Sequence, residues 1–217
     1  MQTAHHDRIR LGALGLGLSA LLLTIFPLVR PFFRLDTFAP EETIAVAVAS
    51  PAFDSLPWVL AHYLAMLGFI LLMGGMLALY AFHAGGEMEP RALRGLLWGL
   101  AGVALILPAF GVEVFTMPVI GKLHMTGATG LAPAIPLTYR GPMTIVLLLG
   151  LIFLAVGAFN FAFAIRRGGR LPAWAAFIFA IGLALWLPLL PRPVRIVDGL
   201  LIGVGGIPLA WSMWRKA

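Results

Sequence analysis

The sequence predicts an all-α protein, a polytopic transmembrane helical bundle of six spans with N- and C-termini cytoplasmic. Three observations carry that expectation. Of 217 residues, 61% are apolar and 11% charged, against roughly half and about a quarter in soluble domains, and the mean hydropathy is +0.99. The apolar residues gather in six stretches near the ~20 residues a helix needs to cross roughly 30 Å of hydrocarbon. Lipid also offers backbone groups no hydrogen-bond partners, so spans must be helices unless the strand alternation of a barrel is present, and here it is absent.

The predicted spans are 11–29, 58–82, 93–119, 142–165, 171–190 and 194–214, forming one integral membrane domain over 1–217. The first has the basic lead of a secretory signal (Arg8, Arg10). Its apolar core is longer than a signal's, and Phe26-Pro27-Leu28-Val29-Arg30 is no small-residue cleavage site, so it reads as a retained helix. Arg8, Arg10, Arg91, Arg94, Arg166, Arg167, Arg170, Arg215 and Lys216 flank the spans on one side; Arg30, Arg34, Lys122, Arg140, Arg192 and Arg195 flank them on the other. Cytoplasmic loops are the richer in Lys and Arg, which places both termini on the cytoplasmic side of a bacterial inner (plasma) membrane. Thirteen arginines against two lysines, with one Asn and one Gln, also hint at a GC-rich, thermophilic source.

Two outer loops, 30–57 and 120–141, are long enough to carry structure. In the first, Pro40-Glu41-Glu42 reads as a helix start, while the alternation of Thr43 to Ala49 equally suits a strand. Long loops are often functional, so a ligand would be met from this side, unless the loops merely cover the mouth of the bundle. Gly95 with Gly99 and Gly199 with Gly203 have the small-xxx-small spacing of close helix packing within the chain. Pro108 and Pro208 are expected to kink their helices. Trp58, Trp186, Trp211 and Trp214 fall near span ends, where indoles favour the interface. A faint echo between the segments at Pro57-Trp58 and Pro172-Ala173-Trp174 does not establish an inverted repeat.

Ionisable groups inside hydrocarbon are costly and mark function by default. Two fall clearly inside spans: His62, about 6 Å in from the outer end of the second helix, and Glu113, roughly 9 Å in on the third. They lie at similar depth on antiparallel neighbours, so a direct contact is within reach. His124 in the loop above, Tyr63, Arg140 and Asp198 can reach the same region.

Three readings stand side by side. His62, Glu113 and His124 could ligate a metal, although their spacing follows no metal motif. They could bind a cofactor, with His62 an axial ligand to a b-type haem or a partner to a quinone or pigment. Or Glu113 is a structural partner of His62 or of an outer arginine. Asn160 is expected to bond a neighbouring helix. The methionines read as packing rather than a copper site, since no Met-x-x-Met cluster occurs.

Absent residues narrow the choice. With no cysteine there is no disulfide, thiolate or covalent c-type haem. Phosphate-loop, zinc-protease and nucleophile-elbow motifs are missing, as are voltage-sensor and potassium-filter patterns. The scattered basic residues exclude nucleic acid as a partner. The leading expectation is a non-catalytic accessory or cofactor-holding subunit (haem, quinone or pigment), partnered by lipid and other membrane subunits. The alternative is a small proton-coupled transporter or membrane enzyme using Glu113 and His62.

Overall fold

The structure is a computed structural model that describes residues 2–31, 53–128, 130, 141–187 and 190–217. Among these there are helices and no strands. They are α1 (Gln2–Val29), α2 (Leu56–His83), α3 (Glu89–Gly111), α4 (Met117–Met125), α5 (Pro142–Gly168), α6 (Ala173–Leu185) and α7 (Arg192–Lys216). A π-helical turn, Val112–Thr116, joins α3 to α4, so Glu89–Met125 is one rod of 37 residues. Five helices are long and apolar enough to cross a membrane.

Local chemistry starts and stops these helices where the sequence supplies the signals. Ser55 caps α2, its hydroxyl accepting from the Trp58 amide at 3.3 Å, with Pro57 in the first turn. Gly169 ends α5 in the left-handed region (φ 64°), its N–H returning to the Ile165 carbonyl.

Three boundaries differ from the sequence expectation. The fifth span, expected over 171–190, is a helix of 13 residues. It stops before Leu187-Pro188, where the proline ring disfavours helical backbone in the residue ahead of it. The third helix continues to Met125, so the expected loop 120–141 begins as helix despite Pro118. The segment Pro40 to Ala49, left between helix and strand, lies outside the described residues.

Each helix packs on the next around a closed ring: α1 on α2, α2 on α3, α3 on α5, α5 on α6, α6 on α7, and α7 back on α1. One end of the ring carries His62 and the other His83, about 30 Å apart along α2. At the His83 end, the Arg170 guanidinium lies over the Phe82 ring at 4.4 Å and donates to the Phe82 carbonyl at 3.4 Å. Lys216 donates to the Arg170 carbonyl, and His6 bonds the Ala217 carbonyl, tying α1 to α7. Although short, α6 runs from this end towards the other, where Trp186 packs on Phe26 and Phe69.

The α3/α5 contact is close, because glycines face each other across it. A Cβ on Gly102 would lie 2.5 Å from the Leu154 nitrogen, and one on Gly157 would lie 2.5 Å from that of Gly99. Without a hydrophobic drive between helices in lipid, such backbone approach is what holds them. Gly199 and Gly203 likewise meet Pro27 and Thr24 of α1. Gly157→Val would force the α3 and α5 backbones apart, and overpacking of this kind costs about 3 kcal/mol. Thermal denaturation in detergent should show a large fall in apparent Tm for Gly157→Val, with little change for Gly74→Ala, whose added Cβ meets nothing within 4 Å.

Two of the four tryptophans expected at the interface are interior. Trp58 and Trp186 are fully buried, whereas Trp211 and Trp214 are exposed. The first two belong to an aromatic cluster that the span boundaries did not reveal.

Candidate functional site

Trp58 and His62 stand one turn apart on the opening turns of α2. The His62 Nδ1–H donates to the Trp58 carbonyl at 2.7 Å. A carbonyl oxygen can only accept, so this bond places a proton on Nδ1 and leaves Nε2 as the nitrogen that exchanges one. Nε2 lies 4.0 Å from the Glu113 carboxylate, and the two side chains are 3% and 16% exposed.

The π-turn explains how Glu113 comes to be there. The Met117 amide bonds the Val112 carbonyl, one residue further back than in an α-helix. Pro118, next in line, has no N–H to give. The Glu113 carbonyl is thereby released sideways, and it accepts from the Trp58 indole at 3.0 Å. One residue therefore holds both members of the pair: Trp58 binds His62 through its carbonyl and Glu113 through its ring nitrogen. π-turns of this kind frequently mark functional positions.

Aromatic rings close the site. Trp58 stacks on the imidazole (centroids 4.2 Å), Phe26 meets it edge-on (5.4 Å) and Phe110 lies at 6.2 Å. Trp186 and Phe69 extend this layer inward. The guanidinium of Arg30 lies over Trp58 at 5.2 Å, and that of Arg195 lies over both Trp186 and Phe26 at 5.1 and 5.4 Å. Arg195 is almost wholly buried and Asp198 wholly so. At the mouth, Gly121 of α4 lets Phe53 approach, since a Cβ there would meet Phe53 at 2.8 Å; Phe53 in turn packs edge-on against Trp58.

The other sequence candidates are distributed differently. His124 is not a loop residue above the pair but lies on α4, eleven positions beyond Glu113, which is roughly 16 Å along the helix. The continuous rod carries it away from His62. Among the described residues, no group of three His, Asp or Glu side chains could hold a metal ion. Tyr63 is substantially exposed and stacks on Phe115, and Arg140 lies outside the described residues. Asn160 donates to Val156 on its own helix rather than to a neighbour. Met76 and Met117 are buried in the core.

Sequence reasoning placed Asp198 within reach but missed the burial of Arg195 and the part played by Trp58. The i, i+4 spacing of Trp58 and His62 was the available signal for the latter.

Chemically, the pair can share one proton at no net charge, either on the carboxyl beside a neutral imidazole or on the imidazole beside a carboxylate. A neutral pair of this kind avoids most of the cost of burying either charge alone. A haem or quinone approaching Nε2 would have to displace Glu113, within a ring already enclosed by Trp58, Phe26 and Phe110.

Comparison with protein-family models, curated proteins and solved structures finds no match to this chain.

Proposed function

We propose that this is a small proton-coupled transporter whose working group is the His62–Glu113 pair. The chain would cross the plasma membrane six times with both described ends cytoplasmic, so the pair takes up and releases its proton near the outer surface. The observation that carries this reading is the double hold of Trp58, which turns the exchanging nitrogen of His62 and the π-turn carboxylate of Glu113 towards each other. The leading expectation from sequence, an accessory subunit, keeps one observation in its favour: among the described residues, short turns join the helices at the His83 end and leave little surface for chemistry outside the membrane. Its cofactor-holding form is less favoured, because Nε2 already faces Glu113.

Infrared difference spectroscopy of the reconstituted protein, stepped from acid to alkaline buffer, tests the proposal together with an internal pH dye in the same liposomes. A carboxyl band that titrates in the wild type should vanish in Glu113→Gln and move in His62→Gln. Proton flux under an imposed gradient should fall at least tenfold in Glu113→Gln. Identical spectra and fluxes in wild type and Glu113→Gln would overturn the proposal.

A further inference from the structure

At the His83 end, the packed helices α3 and α5 carry four arginines in their end turns, and Arg91 of α3 reaches across the seam between them over Phe163 of α5. Arg91 and Arg94 come from the first turns of α3, and Arg166 and Arg167 from the last turn of α5. Arg94, Arg166 and Arg167 are exposed and Arg91 is half-buried. Arg91 lies over the Phe163 ring at 5.4 Å, and Arg94 folds back to the Pro90 carbonyl at 3.3 Å. Among the described residues, no carboxylate forms an ion pair with any of the four. The nearest acid in sequence, Glu89, is engaged elsewhere: one oxygen accepts from the Tyr80 hydroxyl at 2.9 Å and the other from the Gly85 amide at 2.7 Å.

Below the arginines the same seam is apolar and uncovered. Trp98 stands two turns along α3 from Arg91, and Val156 two turns along α5 from Phe163. Trp98, Val156 and Phe163 are each about 40% exposed; Trp98 packs edge-on against Phe153 at 4.7 Å, and Phe163 edge-on against Phe177 of α6 at 5.2 Å. The glycine-lined contact that draws α3 and α5 together thus has four positive charges at its rim and a strip of rings and branched side chains leading down from them.

We propose that this seam is a binding site for an anionic phospholipid, with headgroup phosphate on Arg91, Arg94, Arg166 and Arg167 and an acyl chain along Phe163, Val156 and Trp98. Guanidinium groups pair with phosphate oxygens in a bidentate way that ammonium cannot. Basic pockets between membrane helices at one leaflet are the setting in which such headgroups bind. Four unneutralised arginines fit two phosphates better than one, so diphosphatidylglycerol is the preferred occupant over phosphatidylglycerol. The apolar strip beneath them selects a lipid over free phosphate.

Native mass spectrometry of the full chain, released from micelles doped with diphosphatidylglycerol or phosphatidylcholine, reads the site directly. The wild type should retain diphosphatidylglycerol at least tenfold more than phosphatidylcholine, and excess glycerol phosphate should not displace it. Arg91→Gln should weaken retention about fivefold, and Arg166→Gln with Arg167→Gln about twenty-five-fold. Arg8→Gln with Arg10→Gln, exposed on α1 at the same end and away from the seam, should change it less than twofold. Circular dichroism establishes that each variant is folded. Equal retention of the two lipids, displacement by glycerol phosphate, or equal losses in the seam and control variants would each overturn the proposal.

Discussion

His62→Ala should destabilise the purified protein by about 3–5 kcal/mol, the largest loss expected from any single side chain at the site. Two effects add. Removing one partner leaves Glu113 facing an apolar enclosure, and breaking a buried pair in this way costs about 3–5 kcal/mol. The deleted ring also leaves a void between Trp58, Phe26 and Phe110, which pack against the imidazole from different sides. Glu113→Ala should cost about 3 kcal/mol, and the double variant clearly less than the sum, because the second deletion removes a group already stranded. Denaturation in detergent followed by circular dichroism measures all three. Strict additivity, or single losses under about 1 kcal/mol, would show that the 4.0 Å approach carries no coupling.

Trp58→Phe isolates the other half of the arrangement. Phenylalanine keeps a ring against His62 and leaves the backbone carbonyl in place, but it removes the N–H that Glu113 accepts at 3.0 Å. Met117 is committed to Val112, and Pro118 cannot donate, so that carbonyl loses its sideways partner in a region of low dielectric. The cost should be about 2 kcal/mol. The titrating carboxyl band should also move, since the π-turn that aims Glu113 is no longer held. Trp211→Phe, at an exposed position on α7, should be close to neutral on both measures. If the two variants behave alike, the indole bond does not position Glu113.

Much of the fold was legible because it depends on two coarse quantities, apolar length and charge spacing, and both survive in a bare sequence. The nearness of His62 and Glu113 followed from depth counted at about 1.5 Å per residue on antiparallel neighbours. What escaped depends on cooperation between segments. Pro118 reads as a helix breaker, yet a single wide turn absorbs it and carries His124 out of range of the pair. Trp58 and Trp186 sit where interfacial indoles belong by position, but the rings that bury them, Phe26, Phe69 and Phe110, come from three different helices. Asn160 satisfies its amide within one turn of its own helix, an option that hydropathy does not register. The early end of α6 at Leu185 was hidden for a simpler reason: apolar character continues through Trp186 to Leu190 after helical backbone has stopped.

The closed circuit of helices also bears on how the protein is assembled. As the chain emerges from the ribosome, α1 and α2 can pair early, but the second neighbour of α1 is α7, the last described helix to be made. Until then one flank of α1 must face lipid or an insertion factor, and Phe26 lacks the arginine that will lie over it. The cleft around His62 is therefore completed late in synthesis, and premature termination anywhere before α7 yields a chain whose His62–Glu113 pair is open on one side.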